Sequence, residues 1–134
     1  MKSLSKLKKE LDKYFSLFVR ISNSDENGIA ECFTCHKKDL YKNLQNGHFQ
    51  SRKFLATRFD LQNCQVQCAG CNVFRYGEQY RFAVNLDAKY GEGTAEKLEI
   101  QARQSVKITR GEYIDFISYY KEIVKNLLKD KTIL

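Results

Sequence analysis

The sequence predicts a small α+β protein stapled by zinc, and three observations carry that prediction. Two Cys-x-x-Cys pairs, Cys32/Cys35 and Cys68/Cys71, have the spacing of a four-thiolate zinc site, each pair offering two sulfurs from one tight backbone turn. Apolar residues recur at helical spacing near the start of the chain and again from Tyr113 to Leu128. Between these ends, residues 29–71 lack a helical period and carry short apolar stretches suited to a zinc knuckle and a β-hairpin.

Each element follows in order. Leu4, Leu7, Leu11, Tyr14/Phe15 and Phe18 repeat every three or four positions, which predicts an amphipathic helix over residues 3–21. The polar run from Ser22 to Gly28 is a turn that ends it. Gln65-Val66-Gln67-Cys68 alternates as a short strand should. A helix begins near Cys71 or Asn72, breaks at Gly77 and restarts towards Tyr90. Gly91-Glu92-Gly93 is a turn, and Thr94 is the expected N-cap of a helix running to Ser105. Thr109-Arg110-Gly111-Glu112 has capping-box spacing and opens a last helix. There Tyr113, Phe116, Ile117, Tyr120, Val124, Leu127 and Leu128 form an apolar stripe, either core or a surface for a protein partner or self-association. The chain has no repeat, no low-complexity tract and no proline, so its 134 residues read as one domain. Within it, 1–28 is the N-terminal helix and turn, 29–90 the zinc core and 91–134 the C-terminal helices.

Other uses of the cysteines fit less well. Cys32 to His36 spells C-x-x-C-H, a haem-attachment pattern, but the N-terminus alternates charge and Leu without the apolar stretch of a signal peptide. The only Met is the first residue, which leaves no Met for an axial haem ligand. Neither pair follows a buried strand in a βαβ pattern, as a thioredoxin-like site would. Five cysteines in a chain of cytoplasmic character do not make a disulfide framework. Cys64, the fifth, reads as a small buried core residue.

The formal charge is +7 and no run approaches the roughly 18 apolar residues of a membrane helix. Basic residues cluster in the first twenty positions and again from Lys37 to Arg58, where Asp39 is the only acid. Concentration of charge around a metal-stapled centre favours nucleic acid over a membrane surface. Arg52, Lys53, Arg58 and Arg75 are the candidate phosphate contacts. His48 suits a general base, because a free imidazole titrates near pH 6.5. Asn63, five residues before Cys68, is placed to orient that ring through its amide oxygen. Asn72 offers a neutral oxygen to a hard divalent cation from the first turn of the following helix.

The ordered string Cys32-x-x-Cys35, Gly47-His48-Phe49-x-Ser51-Arg52, Arg58-Phe59-Asp60-Leu61-x-Asn63 and Gln67-Cys68-x-x-Cys71-Asn72 resembles the NinG/Rap family of phage recombination proteins. The likeness includes Tyr14-Phe15-Ser16-x-x-x-Arg20 and spans most of the chain. It implies a treble-clef core of the HNH, or ββα-metal, kind, with an N-terminal helix and a C-terminal helical extension. It also implies a structure-selective endonuclease that cuts branched DNA such as D-loops and junctions in a bacterial host cytoplasm. In that reading structural zinc sits on the four cysteines, His48 is the base, Asn63 its orienting partner and Asn72 a ligand of catalytic Mg²⁺ or Mn²⁺. Many HNH enzymes carry an acid or histidine just before the base. Gly47 stands there here, so the catalytic ion is expected either on Asn72 with a residue from elsewhere, such as Asp60, or bound weakly through water and substrate phosphate. The alternatives are a non-catalytic zinc protein that binds branched or single-stranded DNA, and an interaction protein docking through its last helix.

Overall fold

The computed structural model describes residues 1–131, and the last three residues of the predicted C-terminal segment lie outside the described residues. Helix α1 (Leu4–Ser22) is capped by Ser3, whose hydroxyl accepts from the Lys6 amide at 3.2 Å. Its buried face is Leu7, Leu11, Phe15, Val19 and Ile21, whereas Leu4 is exposed. The stripe predicted from Leu4 and Phe18 is therefore turned by part of a helical step towards Val19.

Two antiparallel hairpins follow. In the first, β1 (Ile29–Glu31) pairs with β2 (Lys38–Leu40) in the register Ala30 opposite Asp39, and the Cys32/Cys35 knuckle forms its turn. In the second, β3 (Gln45–His48) pairs with β4 (Cys64–Gln67), placing His48 opposite Cys64 and Gly47 opposite Gln65. The predicted strand is present, but its alternation does not separate a wet face from a dry one. All four β4 residues are buried. The Gln65 amide donates to Gln62 O and the Tyr90 hydroxyl, and the Gln67 amide donates to the Thr34 hydroxyl and Gly77 O. Hydrogen bonds let these polar side chains occupy interior positions.

The long loop between β3 and β4 holds a short helix, α2 (Leu55–Arg58), that the pattern of residues does not announce. After β4 the chain makes a π-type turn over Gly70–Phe74, closed by the Arg75 amide on Gly70 O at 2.8 Å. Gly77 then breaks the helical run as expected, at φ 87°, and α3 (Gln79–Tyr90) begins. Helix α4 (Thr94–Ala102) departs from the prediction at both ends. Its N-cap is Gly93 in the left-handed region, and Thr94 is its first helical residue. The cap that Thr94 was expected to supply comes from Asp87 of α3, whose carboxylate accepts from the Ala95 amide at 2.9 Å.

Helix α5 (Arg110–Asp130) opens with both bonds of the Thr109/Glu112 capping box. Its buried stripe, Tyr113, Ile117 and Val124, packs on α1: Leu7 and Leu11 meet Tyr113 and Ile117, and Ile21 meets Val124. The two helices therefore run in the same direction, and the stripe left open between core and partner surface is core. Phe116 is the exception, lying exposed with Ile114 and Tyr119 on the other side. No described helix is long and apolar enough to cross a membrane.

Candidate metal and catalytic centre

The first Cys-x-x-Cys turn ends in His36 at φ 68°, and the second opens the π-type turn after β4. Fold and spacing bring Cys32, Cys35, Cys68 and Cys71 together, with all four sulfurs within 4.8 Å of one another. Cys35 and Cys68 Sγ are 3.7 Å apart, close to the edge of about 3.8 Å that a tetrahedron with Zn–S near 2.3 Å requires. The donor set and its geometry fit a structural zinc. Crowded thiols resist joint ionisation. Burial and the neighbouring sulfurs push Cys35 up to about 12. Burial also raises Cys32, but hydrogen bonds from Thr34 and nearby backbone groups outweigh it and hold the thiol at about 6. A divalent cation reverses that repulsion and takes all four as thiolates. Cys64 stands apart, buried, with its thiol donating to Arg58 O at 3.3 Å.

The environment of these sulfurs engages one of the candidate phosphate contacts. Arg75 directs a guanidinium nitrogen at Cys71 Sγ, 3.2 Å away, and pairs with Glu78 at 3.0 Å. It is a counter-charge to the thiolate cluster, and that contact raises its own pKa further. The Gln67 amide can only donate to the Thr34 hydroxyl, which leaves the hydroxyl proton to point at Cys32 Sγ, 3.5 Å away.

His48 lies at the end of β3 beside a cleft of about 490 Å³. The cleft is walled by Asp12, Ser16 and Arg20 from one face of α1, by Asn46 and His48 from β3, and by Arg52 and Asn72. The ring is held by Nε2, 2.9 Å from Arg58 O. A carbonyl only accepts, so Nε2 carries the proton and Nδ1 is the basic nitrogen of the neutral ring. Burial keeps the imidazole below its ordinary pKa. The Arg58 carbonyl and Asp12 act upward, while the Arg52 and Arg58 charges act downward.

Asn63 does not touch this ring. It is fully buried; its Oδ1 accepts from the Gln50 amide at 2.7 Å, and its Nδ2 donates to Gln50 O and Thr57 O. It ties the loop that presents Arg58 O, and the loop carbonyl holds the ring in its place. Asp60 is also outside the cleft. Its Oδ1 accepts from the Gln62 and Asn63 amides and its Oδ2 from Gln101, so it shapes a turn. Arg58, expected on phosphate, forms a two-point ion pair with Asp12 at 3.0 and 2.5 Å and donates to Arg52 O. Lys53 is exposed over the Phe54 ring and does not line the cleft.

Asn72 lines the cleft. Its Nδ2 donates to Gln45 Oε1 at 2.7 Å, and no described residue bonds its Oδ1. Gly47 has a steric cause. A Cβ there would lie 1.9 Å from Gln67 Oε1, so no acid fits at that position while Gln67 fills the space.

Residues 1–130 match the family model described as bacteriophage lambda NinG protein. The chain belongs to the NinG family. No curated protein and no solved structure matches it. In this NinG-family chain, sequence reasoning missed Asp12 and Asn46. Asn46 sits two residues before His48, hence on the same strand face, and its buried Oδ1 has no hydrogen-bond partner among the described residues. Asp12, Ser16 and Arg20 recur every four residues, a polar stripe legible beside the apolar one.

Proposed function

We propose that the chain is a metal-dependent, structure-selective DNA endonuclease acting on branched recombination intermediates, with a treble-clef, HNH-like core. The observation that carries this reading is the cleft lined by His48, Asn72 and Asn46, with no described residue bonding the Oδ1 atoms of the two asparagines. A phage family and a formal charge of +7 support a recombination role and an anionic partner.

In this mechanism His48 Nδ1 accepts the proton of the water that attacks phosphorus, while Arg58 O keeps the ring aimed through Nε2. The P–O bond to the leaving sugar oxygen breaks, and that oxygen takes a proton from solvent. Arg52, at the cleft wall, neutralises a non-bridging phosphate oxygen, and Lys53 lies along the exposed path of the backbone. Asn72 Oδ1 and Asn46 Oδ1 are hard neutral donors that suit Mg²⁺ or Mn²⁺. Such an ion supplies charge neutralisation at the scissile phosphate. Zinc on the four cysteines holds the two knuckles, and with them Asn72, against β3. The proposed setting is the cytoplasm of a bacterial host, where thiols stay reduced for metal.

A second reading has its own observation. Asp12 is the one carboxylate among the described residues of the cleft wall, and it is committed to Arg58. Without a free acid the site suits a zinc-stabilised protein that binds branched or single-stranded DNA without cutting it. Duplex, single-stranded, D-loop and four-way-junction DNA, each incubated with Mg²⁺ or Mn²⁺, separate the two. The nuclease cuts branched substrates and loses cutting with His48→Ala; the binding protein retains every substrate intact.

A further inference from the structure

Beyond the cleft, the segment after Asn72 carries large aromatic side chains that the fold does not use. Phe74 is 77% exposed, Tyr76 89% and Tyr80 82%, and none of them takes part in the ring–ring contacts among the described residues. Neither the Tyr76 nor the Tyr80 hydroxyl bonds to a described residue. Core packing does not explain these side chains.

The backbone beneath them is both strained and firmly held. Tyr76, Gly77 and Glu78 have φ of 54°, 87° and 49°, three successive residues in the left-handed region, two of them not glycine. Such conformations persist where surrounding contacts impose them, and they cluster at binding sites. Here the contacts come from the zinc knuckle. The Gly77 amide donates to Cys71 O at 2.8 Å, Gly77 O accepts from buried Gln67, and Arg75 spans Cys71 Sγ and Glu78. The rings are thus displayed from a rigid base.

We propose that Phe74, Tyr76 and Tyr80 form a stacking platform for the bases of unpaired DNA, with Arg81 taking the adjoining phosphate. The proposal rests on the DNA reading above and names the feature of branched DNA that is recognised: nucleotides free of a duplex partner. Two observations choose this occupant. The rings are flat aromatic faces interleaved with arginine on a chain of charge +7, the combination that tracks a single strand. The platform also continues from the cleft, because Asn72 lines the cleft and Phe74 closes the same turn.

The test uses the zinc-loaded full chain, a labelled thymidine oligonucleotide and a duplex of equal length. Phe74→Leu, Tyr76→Leu and Tyr80→Leu keep apolar bulk but remove the flat ring. Each should weaken single-strand binding roughly tenfold, leaving duplex affinity, zinc content and the salt dependence unchanged. Arg81→Ala should instead lower the salt slope by about one. The chain has no tryptophan, so Tyr80→Trp places a lone reporter on the platform, to be quenched by the single strand and not by the duplex. Leucine variants that bind single strands as the wild type does, or an unquenched Trp, overturn the platform alone. Leucine variants that dissolve a self-association in sedimentation velocity also overturn it, by assigning the surface to a second copy. A wild type with no affinity for either DNA overturns both this proposal and the nuclease reading beneath it.

Discussion

His48 depends on a backbone carbonyl for its tautomer and on burial for its neutrality. Its pKa lies below the ordinary imidazole value, so the basic form persists into mild acid. Activity is then present above that lowered pKa and lost as pH falls through it. With metal saturating, the acid limb of the cleavage profile should have its midpoint below about 6.5. Arg52→Ala removes a charge that acts downward and should move the limb up; a midpoint unmoved by that change contradicts the assignment. Gly47 makes a second residue-scale prediction. Gly47→Ala forces its new methyl onto Gln67 and should cost about 1–3 kcal/mol in denaturant unfolding, while Gln67→Ala in the same chain relieves part of that cost. Asn63 was legible as important but not in its partners. Gln50 and Thr57 lie in a loop without period, where spacing says nothing about which carbonyl meets which amide. Removal of its buried amide should lower stability by a few kcal/mol, not only activity.

At the scale of elements, the parts legible in sequence are those with a repeating or local cause. The period of α1 and the capping box of α5 are written in neighbouring residues, and both appear within a residue or so of their expected places. Long-range pairings were not legible. Asp12 and Arg58 are 46 positions apart, yet their ion pair fastens α1 to the end of α2, and Arg58 O aims His48. Both side chains are less than one-fifth exposed, so the pair is screened only in part. Arg58→Ala strands the Asp12 charge, and a loss of about 3 kcal/mol is expected by thermal or denaturant melting. Because the guanidinium is occupied, the salt slope of DNA binding should stay as in the wild type; a slope lowered by about one would restore Arg58 as a phosphate contact. Gln65 and Gln67 misled in the same manner, since polar residues in a strand read as solvent-facing until their buried partners are known.

For the whole molecule, the four-cysteine cluster that could hold zinc links the two hairpins to the helical frame. Cys32, Cys68 and Cys71 sit in one core cluster with Phe15, Val19, Ala30 and Val66, and exposed Cys35 completes the sulfur group, so metal loss should propagate to α1. Cys68→Ser or a strong chelator should lower the melting temperature and the helical signal, with about one zinc per chain released. Unchanged melting would remove the metal from the folding account. The cysteine spacing made this centre legible from the start, whereas the cleft needed the fold. It is assembled from α1, β3, the loop after it and the turn after β4, four segments whose common wall no local pattern states.

The central claim is that His48 serves as the base of a phosphodiester-cutting site. Its most direct measurement is single-turnover cleavage of a labelled four-way junction and a D-loop, with saturating Mg²⁺ or Mn²⁺, by wild type and His48→Ala matched for zinc content and DNA affinity. The account predicts cutting by the wild type and a rate lower by roughly 10²–10⁴-fold in the variant, with binding intact. Cutting at the wild-type rate by His48→Ala would contradict it.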